Sequence, residues 1–120
     1  MPIAQLRTES DLEYRVNAQT DRYIGIIGTG YADGIPSTIK DYSPVLIAEK
    51  KYPIVGQVCM DMILVDLGET RPSFTHGETV EFFGTSPESI TLKEFSEACS
   101  VNPREALCGI GHRVNRLYIS

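Results

Sequence analysis

One glycine-rich stretch of the sequence has residue types and a spacing that could serve chemistry. It is IGTGYADGIP, residues 27–36, in which Tyr31 follows one glycine and precedes Ala-Asp-Gly. Small residues let another group come close to the backbone. The glycine spacing is G-x-G-x-x-x-G, which is not a dinucleotide-binding pattern, and Ile35-Pro36 opens no helix for a phosphate. We therefore expect the stretch to display Tyr31 rather than to bind a phosphate.

Three further residues are candidates, and each also has an ordinary structural interpretation. Met60 lies in VCMDM, residues 58–62, where the residues alone predict a buried strand methionine. Tyr14, in LEYRVN, is equally an aromatic on the surface of a strand, and His112, in CGIGHRVNR, is equally a loop histidine before a strand. Tyr31 itself is equally a turn tyrosine that covers the core.

Composition limits the class of protein. The 120 residues suit one domain with a real core, and 42% hydrophobic and 22% charged residues are ordinary for a globular protein. The net charge of -5, without a basic run, argues against a nucleic-acid partner. No apolar run reaches the roughly 18 residues that span a membrane, and the first residues lack the apolar core of a signal peptide.

Cysteine and histidine usage points to a reduced, cytoplasmic protein without a metal. The three cysteines, Cys59, Cys99 and Cys108, are odd in number and lack metal-type spacing. The two histidines, His76 and His112, lie far apart in sequence. A zinc or two-metal site therefore has few ligands to build on.

The elements that must position these residues are mostly strands. We predict strands in RYIGIIGTG, QVCMDMILVDL, ETVEFFG and RVNRLYI, and a hairpin in SPVLIAEKKYPIVG whose turn is Glu49-Lys50-Lys51. Pro53 should put the return strand at an edge or a strand start. In residues 57–67 the alternation predicts one face formed by Val58, Met60, Met62 and Leu64.

One segment has helical rather than strand periodicity. Thr91 and Glu94 have capping-box spacing, and they predict a short α-helix near residues 91–100, while NPREALC could add one turn from Pro103. The predicted fold class is therefore all-β: mainly antiparallel short strands in a barrel-like arrangement, with this one short helix. Residues 1–12 are expected to be a leader or lead-in segment, and residues 13–120 the β-domain.

Three separated motifs resemble those of one enzyme family. GYADGIP, YPIVGQVCMDMILVDL and EALCGIGHRVNRLY occur in the order and spacing of the C-terminal β-domain of alanine racemases, which are pyridoxal-phosphate-dependent amino-acid racemases. The resemblance covers about residues 18–120. Complete enzymes of this family also have an N-terminal (β/α)₈ barrel that carries the pyridoxal phosphate and its lysine. Because such a barrel takes about 200 residues or more, the chain resembles the second half of such an enzyme.

The resemblance implies roles for the candidate residues. In the family, one base is the barrel's lysine and the other is a tyrosine from the partner subunit's β-domain. Counting back from Tyr31 without a gap, that tyrosine position falls on Leu12; Tyr14 is the catalytic equivalent only if two residues are deleted, and otherwise the base is missing. Tyr31 would line the entrance, and the backbone N–H of Met60 would bind the substrate carboxylate. His112 stands where some relatives place a tyrosine on the cofactor phosphate, and a histidine could donate there.

The function that the resemblance implies belongs to a larger assembly. The chain would contribute to an inter-subunit site that interconverts L- and D-alanine, a cell-wall precursor, or serine. Its partners would be the barrel and a second subunit in a head-to-tail homodimer, and without the barrel it would be inactive and bind no pyridoxal phosphate. A free-standing β-domain that serves as a binding or dimerisation module is the alternative. A third hypothesis, an unrelated small β-barrel that binds a ligand or peptide, is disfavoured by the three motifs.

The same resemblance predicts an exposed apolar surface on the isolated chain. A β-domain that faces a barrel and a partner subunit should leave apolar side chains uncovered when it stands alone. We expect Tyr31, Met60 and Ile110 beside that surface.

Overall fold

A seven-stranded antiparallel sheet forms most of the molecule. The computed structural model describes the backbone of residues 6–9 and 13–17 and all atoms of residues 22–74 and 77–110. Its strands follow the order β1-β7-β4-β5-β6-β3-β2 across the sheet. They are β1 (Leu6–Glu9), β2 (Glu13–Asn17), β3 (Arg22–Ile27), β4 (Pro44–Ile47), β5 (Lys50–Val55), β6 (Ile63–Gly68) and β7 (Thr79–Phe83).

The predicted all-β class is confirmed. Every recorded strand pairing is antiparallel, and within the described ranges no pairing joins β1 to β2, so the strand order is open. Strand β1 lies inside the segment expected to be a lead-in, and it pairs with β7 over Leu6–Glu9. The strand predicted in RVNRLYI falls outside the described residues.

Strand β6 differs from its prediction in length and in face. It begins at Ile63 rather than at Gln57, and Ile63, Val65 and Leu67 point into the core. The prediction places Met60 and Met62 on one face of the strand. In the structure both side chains are exposed, at the bend that precedes the strand. Both sets of residues are apolar and alternate, so periodicity could not distinguish them.

The predicted hairpin is confirmed, although its turn is shorter than expected. Strands β4 and β5 are joined by Ala48 and Glu49, whose φ angles are 49° and 66°. Two consecutive residues with positive φ match the right-handed twist of a two-residue hairpin. Lys50 and Lys51, expected in the turn, already belong to β5.

Pro53 lies in an inner strand, so its predicted position at an edge or a strand start is wrong. The first part of β5 pairs with β4, and Ile54 and Val55 pair with β6. Pro53 stands opposite Pro44 at the end of the first ladder. A residue without an N–H is tolerated there because the ladder with β6 begins only at Ile54.

Two helices close the described chain, where the sequence predicted one helix and an optional turn. Helix α1 (Leu92–Cys99) confirms the predicted helix, with the capping box of Thr91 and Glu94 formed at 3.1 Å from Glu94 N to Thr91 Oγ1. Helix α2 (Pro103–Cys108) begins at its proline, and Asn102 Oδ1 accepts from the Glu105 N–H at 2.9 Å.

The core lies between the sheet and helix α1. Phe95 of α1 packs against Phe82 and Phe83 of β7, with ring centroids 6.4 and 5.1 Å apart. The most completely buried large side chains are apolar: Phe82, Phe83, Ile27, Ile35, Ile47, Ile54, Ile63, Ile90, Val45, Val65 and Val80. Burial of this surface is the main force that holds the sheet together.

Candidate functional site

The glycine-rich stretch forms a compact loop after β3. Residues Tyr31–Asp33 make one turn of 3₁₀ helix, which ends at Gly34 with φ 102°. The Gly34 N–H donates to Tyr31 O at 3.2 Å, and the Asp33 N–H donates to Gly30 O at 3.0 Å. These bonds fold the loop back on itself and leave the Tyr31 side chain on the outside, 51% exposed.

The backbone of this loop docks directly on the bend that carries Met60. The Tyr31 N–H donates to Cys59 O at 3.0 Å, and the Ala32 N–H donates to Met60 O at 2.9 Å. A Cβ on Gly30 would lie 2.1 Å from Cys59 O, so only glycine fits this approach. The structure therefore brings the first two motifs together through backbone contacts.

The third motif reaches the same loop from its other side. A Cβ on Gly34 would lie 2.3 Å from Gly109 O and 2.6 Å from the Ile110 Cα, in addition to needing a left-handed φ. Gly109 ends helix α2, and Ile110 follows it. The loop of residues 30–34 is thus the point at which all three sequence motifs meet.

Two of the predicted site residues lie on the surface of this meeting point. Met60 is 55% exposed, so the prediction of a buried strand methionine is wrong: the chain bends at residues 59–62, where the Cys59 N–H donates to Met62 O at 3.0 Å. Tyr31 is likewise exposed, as expected. Ile110, expected beside them, is 9% exposed and belongs to the core.

The other two predicted residues are only partly located. Tyr14 lies in β2, opposite Gly25 of β3, and its side chain is outside the described residues. Since β3 leads into the loop of residues 30–34, β2 is the strand next to the one that supports this loop. His112 also lies outside the described residues.

Sequence reasoning missed a buried carboxylate within the loop. Asp33 is only 5% exposed, and its Oδ2 accepts from Thr29 Oγ1 at 3.0 Å and from the Gly30 N–H at 3.3 Å. An aspartate three residues after a glycine in a turn can accept such local backbone bonds. That spacing was the available signal for Asp33.

The three cysteines differ in their burial. Burial raises the pKa of Cys99 to about 12, so this thiol is unreactive near neutral pH. Cys59 and Cys108 are exposed.

Across residues 22–74 and 77–110, no three His, Cys, Asp or Glu side chains cluster as metal ligands. The helices that the structure describes include none that is long and apolar enough to cross a membrane.

The surface around this junction is open to solvent. The lysines at positions 40, 50, 51 and 93 are all exposed. Tyr31 and Met60 project outward from a rigid backbone junction rather than into an enclosed cavity. The fold and this surface define the class: an all-β domain with apolar side chains exposed at the junction of its three motifs.

Comparison with known proteins gives the family. The sequence profile of "Alanine racemase, C-terminal domain" matches residues 5–118. The chain is 40% identical over 105 residues to a catabolic alanine racemase of Schizosaccharomyces pombe, and 41% identical over 106 residues to an alanine racemase of Treponema pallidum. It therefore belongs to the alanine racemase C-terminal domain family.

The chain matches only a part of these larger proteins. The matches cover 87% and 85% of the chain but 27% and 28% of the two racemases. Among solved structures, an alanine racemase from Streptomyces coelicolor superposes with a TM-score of 0.80 at 27% identity, covering 96% of this chain and 33% of that one. One from Bartonella henselae, which carries covalently bound pyridoxal phosphate, gives 0.77 at 30% identity, covering 94% and 31%.

Proposed function

We propose that this chain is the C-terminal domain of a cytoplasmic, pyridoxal-phosphate-dependent alanine racemase and that it forms one wall of an inter-subunit active site. The proposed reaction interconverts L- and D-alanine, with serine as the alternative substrate. The barrel and a second, head-to-tail subunit are its proposed partners. Without the barrel the chain is expected neither to hold pyridoxal phosphate nor to racemise.

The observation that carries this proposal is the junction at residues 30–34. Three motifs that are distant in sequence meet at one loop, two of them through a contact that excludes even a methyl group on Gly30. At that junction Tyr31 and Met60 are held by backbone hydrogen bonds and yet remain exposed. Adjoining apolar side chains that stay exposed support an interaction surface at this junction.

Racemisation requires that a proton leave one face of the substrate and return to the other. When bound in the complete enzyme, pyridoxal phosphate supplies the electron sink for the charge left on the substrate's Cα. The proposed share of this chain is the second base, Tyr14. A tyrosine with an ordinary pKa of about 10 needs a cationic neighbour to act as a base near neutral pH.

The remaining roles concern binding. The backbone N–H of Met60 is proposed to donate to the substrate carboxylate, and Tyr31 to narrow the entrance. His112 is proposed to donate to the cofactor phosphate, as a tyrosine does in some members of the family. All of these groups act on a site that the barrel of another subunit completes.

An isotope experiment in the complete racemase tests this assignment. Tyr14→Phe should lower both net directions together, because both obey one equilibrium constant. Exchange of the α-proton from one enantiomer should survive through the barrel's lysine, while exchange from the other falls roughly 10²-fold or more, the usual size of a general-base contribution. Tyr31→Phe is the matched control, and it should alter KM or substrate size preference instead.

Two results would contradict these roles. If Tyr31→Phe gave the one-sided loss of exchange and Tyr14→Phe had no effect, the two tyrosines would have been assigned the wrong way round. If neither variant affected exchange, the second base would lie outside this domain. The latter result would favour the alternative, a β-domain that serves for binding or dimerisation.

A further inference from the structure

The loop that carries Tyr31 is closed by one buried carboxylate. Among the described residues, Oδ2 of Asp33 accepts hydrogen bonds from Thr29 Oγ1 at 3.0 Å and from the Gly30 N–H at 3.3 Å. Both donors precede Tyr31 in the chain, whereas Asp33 follows it. The carboxylate therefore ties together the two ends of the segment that presents Tyr31.

The same segment also forms the contact with the bend that carries Met60. Gly30 provides the close approach, and the next two N–H groups donate to Cys59 O and Met60 O. A turn of three residues has too few internal hydrogen bonds to keep one conformation alone. The orientation of these two N–H groups thus depends on what holds Thr29, Gly30 and Asp33 in place.

Because its hydrogen-bonding groups are buried, the loop strongly favours one conformation. Asp33 and Thr29 are 5% and 3% exposed, and Gly30 is buried as well. A buried carboxylate is tolerated only when hydrogen bonds replace its water, and each buried donor left without an acceptor is costly. Opening the loop would separate these groups, so the closed form is the one that satisfies them.

We infer that Asp33, together with Thr29, is a positioning residue that locks Tyr31 and Met60 into one rigid unit. The inference rests on the proposed function for its significance, since Tyr31 and Met60 are the residues proposed to face the substrate. Asp33 itself lies beneath the surface and acts through the backbone of residues 30–32. In this role Asp33 fixes the positions of Tyr31 and Met60 relative to the proposed substrate.

Site-resolved amide hydrogen exchange on this 120-residue chain tests the inference without any catalytic assay. Asp33→Ala should speed exchange at the Tyr31 and Ala32 amides by about tenfold or more beyond any change at core amides of β6. Thr29→Val removes the other partner's hydroxyl, and it should act in the same direction even if Asp33→Ala does not fold.

Conservative variants and a matched control separate positioning from a general effect on folding. Asp33→Asn keeps an oxygen that can accept both bonds, and Thr29→Ser keeps the hydroxyl, so both should restore most of the protection at Tyr31 and Ala32. Asp41→Ala is the control, because Asp41 Oδ1 accepts from the Gly56 N–H at 3.1 Å in a different loop. It should leave exchange at Tyr31 and Ala32 unchanged.

Either of two outcomes would overturn the inference. One is a uniform loss of protection across the sheet in Thr29→Val and Asp33→Ala, which would make Asp33 a contributor to global stability only. The other is unchanged exchange at Tyr31 and Ala32 in both variants. Because no step of this experiment requires racemisation, its failure would leave the proposed function standing, and a failure of the proposed function would leave this result interpretable.

Discussion

At the scale of single residues, the junction depends on the absence of one side chain. Gly30 has a φ of -164°, an extended value that any residue adopts, so its backbone conformation does not require glycine. What requires it is the neighbouring Cys59 O, which would lie 2.1 Å from an added Cβ. A substitution there can be accommodated only if the two backbones separate.

We predict that Gly30→Ala destabilises the chain by about 1–3 kcal/mol, the usual cost of overpacking, and moves the backbone resonances of residues 59–60. Gly56→Ala is the matched control, since a Cβ there meets nothing within 4 Å and only the φ of 75° is unfavourable. That control should cost about 1 kcal/mol, with residues 59–60 unchanged. Urea unfolding and NMR measure both effects. Unperturbed resonances at residues 59–60 in Gly30→Ala would contradict the close approach.

The sequence could indicate that Tyr31 is displayed, but not where Met60 and Ile110 lie. The local pattern assigns an apolar residue such as Met60 to the core by default, whereas the family resemblance placed Ile110 beside an exposed surface. Met60 is instead exposed on the bend that contacts the loop of residues 30–34, and Ile110 is buried in the core. These outcomes depend on tertiary contacts that no local pattern encodes.

At the scale of elements, the hairpin of β4 and β5 contains removable backbone strain. Ala48 and Glu49 both have positive φ, which is unfavourable for residues with a Cβ. We predict that Glu49→Gly stabilises the chain by about 1 kcal/mol. Glu88→Gly is the control: Glu88 is exposed in a turn and its φ is not positive, so it should give no gain. Thermal unfolding would show the difference, and an equal effect of both changes would contradict the strain at Glu49.

An ion pair joins β3 to β6 and gives the sheet a dependence on pH. Burial raises the pKa of Asp66, but the hydrogen bonds from Arg22 and the Gly68 N–H and the charge of Arg22 outweigh it, so the net pKa is lowered. The Arg22 Nε lies 2.9 Å from Asp66 Oδ2. A carboxyl with a lowered pKa in the folded state stabilises it above the unfolded pKa of about 3.9, and this contribution disappears as the pH falls through the folded pKa.

We therefore predict that Asp66→Asn is less stable than the unchanged chain at pH 7, and that the difference shrinks as the pH falls below about 4. Urea unfolding at several pH values measures this. Glu69→Gln is the control, because Glu69 is exposed and lies 3.6 Å from Arg22 Nη1; it should have little effect at any pH. A difference for Asp66→Asn that stayed constant or grew on acidification would contradict the lowered pKa.

The sequence predicted the presence of these helices and strands better than it predicted their first and last residues. The helix near residues 91–100 followed from the capping pair Thr91 and Glu94, which is a local signal that the structure reproduces. Strand β6 was predicted too long because its apolar alternation continues through Met60 and Met62 into the bend. Pro53 was misplaced because the rule for edge strands does not anticipate an inner strand whose ladder with one neighbour begins only after the proline.

At the scale of the whole molecule, the described residues enclose an apolar core but leave the motif junction exposed. The sheet and α1 enclose the buried apolar residues, whereas Tyr31 and Met60 remain uncovered at the motif junction. The chain spans less than a third of the length of the alanine racemases from Schizosaccharomyces pombe and Treponema pallidum that it matches. In our account, the residues that finish the site belong to a barrel and a second subunit.

Racemisation with and without a barrel tests this account most directly. The chain would be assayed for interconversion of L- and D-alanine in the presence of pyridoxal phosphate, first alone and then joined to the N-terminal barrel of an alanine racemase. For the chain alone, we predict no racemisation and no stoichiometric borohydride labelling of a lysine. For the joined protein, we predict racemisation, and Tyr14→Phe should strongly reduce exchange of the α-proton from one enantiomer only. Racemisation by the chain alone, with one labelled lysine, would contradict the account, as would a folded, cofactor-loaded joined protein that fails to racemise alanine or serine.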